Sequence, residues 1–445
     1  MIKSIAINRL RFILGAIFVF LIAYILQLNL IVPLFLLVLF LYIGLVYKDL
    51  RLKNYSLLNL TLLFVIIFVT SYFIIRQGYP VYFIPFSVIP MLSTLLFGEL
   101  LISLLLSIAS AISIAYISAN SFYAGVLFLI SAILSGILVW GVRRRMEIIR
   151  AGFIIGLIQV ASLVFINNFA FQDPIKYAAL MFNGIACSIV VVGILPVFEY
   201  LFKTVANISL LELTDFNHPL LQRMVQEAPG TYHHSLIVGN LSEAACAAVG
   251  ANALLARIGA YYHDIGKLNK PEYFSENQGI NQSKHDALSP TMSKLIITKH
   301  VTEGVELAKK YKLNPRIINF ILQHHGTSLV YYFYRRALES LEEDQEIKEE
   351  GFRYPGPKPQ TKETAIVLLA DSVEAATRAL REPAPSSIEE IAQKIINNKF
   401  IDGQLDECDL TLKDLEKISA VFIRILSGIY HGRITYPKDS TFLKK

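Results

Sequence analysis

Apolar residues run almost unbroken through the first 200 positions and then give way to amphipathic spacing, so the chain divides by pattern alone. A helix needs about 17 to 25 predominantly apolar residues to cross a hydrocarbon core of roughly 30 Å. Eight stretches qualify: residues 12–28, 30–47, 57–75, 81–97, 100–119, 122–142, 153–171 and 178–200. Only Asn29 separates the first two, and Asn120 and Ser121 separate the fifth and sixth, so each pair is expected to form a tight helical hairpin. The fourth stretch contains Pro85 and Pro90 and follows Pro80, which predicts kinks, either around a ligand pocket or absorbed by neighbouring helices. Asn59, Glu99, Gln159 and Asn183 are polar in this half and either line a site or serve interhelical hydrogen bonding and interfacial placement.

Beyond Lys203 the pattern changes. Turn signals occur at Pro229-Gly230, Pro271, Pro290, Pro315 and residues 354–359, and no useful alternating run appears. Residues 236–249, 253–262, 290–311 and 363–380 instead repeat apolar positions at three and four. The expectation is all-α: a polytopic transmembrane bundle over residues 1–203, then a cytosolic all-helical domain over 204–445. Residues 340–350, mostly acidic and polar, read as a solvated helix or loop.

Composition sharpens this picture. Of the 445 residues, 54% are hydrophobic and 17% charged, with a mean hydropathy of +0.51, which excludes a wholly soluble or disordered chain. Residues 1–203 hold 13 of the 41 Lys+Arg and 5 of the 35 Asp+Glu, a net +8, against −2 for the remainder. The positive excess therefore sits between apolar segments, where it reports membrane topology rather than a nucleic-acid polymer as partner. Lys3, Arg9, Arg11, Lys48, Arg51, Lys53, Arg143, Arg144, Arg145 and Arg150 fall on one side under the eight-span count, and only Arg76 and Lys176 on the other. Both termini and the polar half are accordingly expected in the cytoplasm. A cleaved signal peptide does not fit the first span, because residues 24–29 offer no small-residue cleavage site. Cys187, Cys246 and Cys408 form no CxxC pair and suit a reducing compartment.

Seven of the nine histidines lie between His233 and His325, where an even spread would place roughly two. His234, the pair His263-Asp264, His300, the pair His324-His325 and Asp371, set within an apolar helix, are the candidates for metal ligation. Singly, each has a plainer reading as a helix-end pair, a cap or a satisfied core residue. Together they offer nitrogen and oxygen donors without thiolate, a set suited to iron, manganese or another first-row ion more than to structural zinc. His263-Asp264 also sits in an apolar helix that Gly266 is expected to end, a costly place for a charged pair without a partner.

The order His, His-Asp, His, His-His, Asp resembles the HD phosphohydrolase superfamily in its two-metal form. The strings over residues 228–235, 261–267, 276–278, 323–327, 353–359 and 370–375 are similar to one branch, the seven-transmembrane receptor HD family of cyclic-di-AMP phosphodiesterases. The resemblance runs over about residues 30–436 and is most specific over 210–437. Family members usually carry a large extracellular domain after one N-terminal helix; Asn29 stands where it would be inserted, so any input signal is expected to enter through the helices. Gly78-Tyr79-Pro80 matches the motif of the cyclic-di-GMP branch but lies between membrane helices rather than in the catalytic domain.

The resemblance implies one metal on His234, His263, Asp264 and Asp371 and a second on Asp264, His300, His324 and His325, with Asp264 shared. It implies two divalent ions, manganese or iron, that activate water to open one 3′ ester of cyclic di-AMP and release linear pApA. His263, Asp264 and Lys267 are the expected catalytic residues, Lys267 as a phosphate neutraliser or else a solvated lysine. Glu374 is expected to orient a ligand, and His285 either touches phosphate or makes a surface hydrogen bond. His233 is the non-ligand of its pair, and His218 and His431 are structural. Another nucleotide such as cyclic di-GMP, or a membrane receptor whose HD domain only binds nucleotide, remain the alternatives. A homodimer and an unidentified ligand of the membrane domain remain open as partners.

Overall fold

The structure, a computed structural model, describes residues 57–118, 122–169, 173–278, 283–340, 347–380 and 383–430. The expected spans 12–28 and 30–47 with their flanking basic residues, the Asn120-Ser121 turn and His431 lie outside them. The described residues are helical and contain no strand, only an isolated antiparallel bridge between Leu329 and Arg353. The chain divides into two compact units, residues 1–212 and 213–445.

In the first unit, α1 (Leu57–Arg76), α2 (Val88–Phe97), α3 (Leu100–Ile117), α4 (Phe122–Val139), α5 (Arg145–Ile166) and α6 (Pro174–Phe202) follow the apolar pattern. All but α2 are long and apolar enough to cross a membrane, and the chain is a multi-pass membrane protein. The expected span 81–97 is not one helix: a short 3-10 turn at Val81–Phe83 precedes α2, which has ten residues. Pro80 and Pro85 lack the amide hydrogens a continuous helix would use. Asn183 of α6 repairs the break, donating from Nδ2 to the carbonyls of Tyr82 (3.1 Å) and Ile84 (3.0 Å). Gln159 likewise reaches Ser87 Oγ at 3.4 Å, whereas Glu99 is exposed at the start of α3.

Helix α5 begins eight residues before the expected 153, because its charged first turns are stabilised in another way: Glu147 accepts from the Arg143 amide at 3.0 Å. Helices α5 and α6 pack closely through glycines, and a Cβ on Gly184 would lie 2.5 Å from the Gly152 carbonyl. The first unit also extends past residue 203 through α7 (Asn207–Glu212). Glu199 of α6 accepts from Ala206 N (2.6 Å) and Ser209 Oγ (2.9 Å), and Arg145 binds both carboxylate oxygens of Glu212 at 2.6 and 2.9 Å.

The second unit comprises α8 (Pro219–Glu227), α9 (Pro229–Ala248), α10 (Ala253–Tyr262), α11 (Pro290–Lys310), α12 (Pro315–Gln323), α13 (Tyr331–Glu339), α14 (Lys362–Arg378), α15 (Pro385–Ile401) and α16 (Leu412–Ile429). Proline opens α8, α9, α11, α12 and α15, where its fixed φ suits the first turn and its missing donor costs nothing, so several of the turn signals are helix starts. Helix α14 is the centre of the unit: every side chain from Ala365 to Ala370 is fully buried. A segment apolar all round is one surrounded by other helices, here α9, α10, α12, α15 and α16.

Candidate metal centre

Five segments deliver the candidate residues to one point. His234 stands in the second turn of α9, His263 caps α10 with Asp264 next to it, and His300 lies midway along α11. His324 caps α12, followed by His325, and Asp371 sits in the middle of α14. All are buried except the half-buried His325.

Their donor atoms form two groups within ion-binding range, His234, His263, Asp264 and Asp371 in one and Asp264, His300, His324 and His325 in the other. The two oxygens of Asp264 divide between them. Oδ2 lies 3.1 Å from His263 Nε2 and 3.6 Å from His234 Nε2, while Oδ1 lies 3.3 Å from His300 Nε2 and 3.5 Å from His324 Nε2. Asp371 closes the first group, with Oδ1 3.1 Å from His234 Nε2, and turns Oδ2 toward His325 Nδ1 at 3.5 Å.

These donors fit divalent ions. His263 Nε2 and Asp264 Oδ1 are buried and make no hydrogen bond, a costly state for polar atoms unless something else satisfies them. The opposite ring nitrogens are occupied: His263 Nδ1 meets the Ala260 carbonyl at 2.6 Å, His300 Nδ1 that of Ile297 at 2.5 Å, His324 Nδ1 that of Ile321 at 2.9 Å, and His234 Nδ1 a carboxylate oxygen of Glu374 at 2.5 Å. Each ring thus presents a defined Nε2 inward, the arrangement that fixes metal-ligating imidazoles.

The local field is uneven. Burial alone would raise the Asp264 carboxyl, but the charges of His263 and Lys267 outweigh it and hold the group well below the usual carboxylate range. Burial pushes His324 down to about 4 and His325 well below the usual imidazole range, so both are neutral, as ligands must be. At His263 the carboxylates of Asp264 and Asp371 overcome burial and push the ring up to about 10. The first group therefore calls for positive charge, which a cation supplies.

Lys267 is not a free neutraliser. Its Nζ lies 2.7 Å from Asp264 Oδ2 and 2.7 Å from Glu276 Oε1, and its partner Glu276 carried no role in the sequence reading. Glu276 also accepts from Thr231 Oγ1 at 3.1 Å, and Asn277 Oδ1 accepts from the Thr231 amide at 3.1 Å, tying this turn to the start of α9. Gly230 permits that approach, since a Cβ there would lie 1.9 Å from the Glu276 carbonyl. Gly266 plays a comparable part. It does not stop α10 with a left-handed residue, because the helix ends at Tyr262 and Gly266 sits in a 3-10 turn; a Cβ would lie 1.8 Å from the His300 carbonyl.

The remaining histidines separate cleanly. His233 is exposed and belongs to neither donor group. His218 accepts from Leu220 N at 3.3 Å as the N-cap of α8. His285 lines the adjoining cavity, but its Nε2 is engaged by the Tyr273 carbonyl at 2.9 Å. That cavity, about 500 Å³, opens onto His234, His300, His325 and Asp371 and is walled by Tyr273, Phe274, Tyr332, Phe333 and Tyr354. Tyr354 stacks on His325 with ring centroids 4.2 Å apart. These aromatic residues were missed in the sequence, where only the string containing Tyr354 stood out.

Residues 12–206 match the family model of the 7TM receptor with intracellular HD hydrolase, and residues 231–376 match that of the HD domain. The HD domain implies a divalent metal. Among curated proteins, the chain is 46% identical over 332 residues to "Cyclic-di-AMP phosphodiesterase PgpH" of Bacillus subtilis, covering 73% of this chain and 46% of that protein. It is 43% identical over 320 residues to the protein of the same name from Listeria monocytogenes, covering 71% of this chain and 44% of that one. The chain thus spans about half the length of these relatives. A crystal structure of the L. monocytogenes PgpH HD domain in complex with cyclic-di-AMP is 49% identical, with a TM-score of 0.46, covering 49% of this chain and 100% of that one.

Proposed function

Because the chain belongs to the family of seven-transmembrane receptors with an intracellular HD hydrolase, we propose that it is a membrane-bound, metal-dependent phosphodiesterase that opens cyclic di-AMP to linear pApA. The observation that carries this reading is the pair of four-residue donor groups sharing Asp264 beside a cavity of about 500 Å³. The substrate follows the relatives whose names give that activity.

In this reading His234, His263, Asp264 and Asp371 hold one ion and Asp264, His300, His324 and His325 the other, and residues 204–445 form the catalytic part. The donor set, imidazole and carboxylate without thiolate, suits manganese or iron. Two such ions supply Lewis-acid polarisation of the phosphoryl oxygens and a water nucleophile at neutral pH. The chain itself supplies position. The carbonyls of Ala260, Ile297 and Ile321 and the Glu374 carboxylate hold four imidazoles with Nε2 inward. Lys267 offsets the negative charge of Asp264 and Glu276 and, after His263, helps to keep Asp264 ionised. The aromatic wall offers faces on which an adenine can stack.

We place the catalytic part in the cytoplasm. Arg143, Arg144, Arg145 and Arg150 cluster at the start of α5, the end that Arg145 ties to Glu212 beyond α6. The opposite helix ends carry only Arg76 and Lys176 among the described residues, the bias expected of a cytoplasmic face.

The test is hydrolysis by the full chain in detergent with Mn²⁺, offered cyclic di-AMP and cyclic di-GMP separately. Conversion of cyclic di-AMP to pApA, stopped by a chelator, is expected. Cleavage of cyclic di-GMP with cyclic di-AMP left intact would contradict the substrate assignment.

A further inference from the structure

A cyclic dinucleotide carries two phosphodiesters, and the donor groups account for only the one that is cut. Among the described residues lining the cavity, Lys267 and Arg378 are the lysine and arginine available for the other. They are held very differently. Lys267 is 12% exposed, with its ammonium 2.7 Å from each of two carboxylates. Arg378 is 35% exposed, and its nearest carboxylates, Glu374 Oε2 at 3.6 Å and Glu276 Oε2 at 3.9 Å, lie beyond hydrogen-bond distance.

Those carboxylates are also committed elsewhere. Glu374 Oε2 faces His234 Nδ1 at 2.5 Å, and Glu276 accepts through Oε1 from Lys267 at 2.7 Å and from Thr231 at 3.1 Å, with Oε2 turned toward Arg378 at 3.9 Å. The Arg378 guanidinium is therefore steered by two negative groups, saturated by neither, and set at the cavity wall one helical turn beyond Glu374. A planar fork with several donors is the group best matched to a phosphate's oxygens.

We propose that Arg378 binds the second, uncut phosphate of the cyclic dinucleotide and so selects two-phosphate rings over single diesters. The assignment rests on the proposed function and adds a specificity residue to it. Arg378 touches no metal donor directly. Its nearest link to the centre runs through Glu374 to His234, so a purely structural role would affect every substrate alike.

That difference is the test. In the full chain with Mn²⁺, kcat/KM is measured for cyclic di-AMP and for bis(p-nitrophenyl) phosphate, which has a single phosphodiester, in wild type, Arg378→Gln and Arg378→Lys, with bound metal determined for each. The ratio of cyclic di-AMP to single-diester kcat/KM is expected to fall about 10- to 100-fold in Arg378→Gln, the loss of a hydrogen bond to a charged group. It should recover in part in Arg378→Lys, with metal content unchanged throughout. An unchanged ratio, or an equal loss on both esters with loss of metal, overturns the assignment. A wild-type chain that cleaves the aryl ester but leaves cyclic di-AMP intact overturns the substrate reading, and this assignment with it.

Discussion

The ammonium of Lys267 lies 2.7 Å from Oδ2 of Asp264, three residues before it, and the same ammonium closes on Glu276 at 2.7 Å. A lysine side chain only 12% exposed between two carboxylates that are 1% and 5% exposed is an ion triad whose members depend on one another. Lys267→Met leaves Glu276 without its partner at 2.7 Å and removes one of the positive charges beside Asp264. We expect a stability loss of about 3 to 5 kcal/mol and turnover lowered by more than about 100-fold, read by thermal unfolding and by product formation. An intact melting temperature in this variant would show that the triad does not hold the site together.

Glu374 carries a second prediction. Its carboxylate fixes His234 through Nδ1, and a partner that orients a metal-binding imidazole typically contributes about 10- to 100-fold in metal affinity. Glu374→Gln keeps the side chain's length but removes the charge. Mn²⁺ affinity should fall by about that factor in calorimetric titration of the full chain, while the helical circular dichroism stays unchanged.

The glycines give a contrasting pair. Gly266→Ala drives a methyl group into the His300 carbonyl, where a Cβ would lie at 1.8 Å, and overpacking of that kind costs about 1 to 3 kcal/mol or more. Gly428 lies within α16 with nothing within 4 Å of a built Cβ. Gly428→Ala should therefore stabilise by about 0.5 to 1 kcal/mol through helix propensity. Thermal unfolding of both variants checks the two signs together.

Much of this architecture could be read along the chain, and the places where it could not have identifiable causes. Apolar length alone located α1, α3, α4 and α6 closely, because an uncharged run of that length has few other uses. It misjudged residues 81–97, where Pro80 and Pro85 break the backbone and Asn183, about a hundred positions away, takes up the freed carbonyls. It also misjudged the start of α5, whose charged first turn is capped locally by Glu147. At the centre, the spacing of His263-Asp264 and His324-His325 was informative because each pair sits at a helix end, where adjacent residues can converge. The partnership of Lys267 with Glu276 left no such trace. It depends on a short turn folding back on the start of α9, made possible by the absence of a side chain at Gly230.

In the membrane half, Gly184→Leu should separate α5 from α6, since a Cβ at that position already meets Gly152 O at 2.5 Å. The expected outcome is a lower melting temperature in detergent, with Gly193→Leu, open within 4 Å on the same helix, as the tolerated control. Equal behaviour of the two variants would show that the close glycine contact does not stabilise the bundle.

Asp264 stands in both donor groups, and in the proposed function this one carboxylate serves two ions at once. Metal content per chain, measured by elemental mass spectrometry on the purified full-length wild type and on Asp264→Ala, tests it directly. Two manganese or iron ions are expected in the wild type and close to none in the variant. A wild type that binds a single ion, or a variant that keeps both, would contradict it.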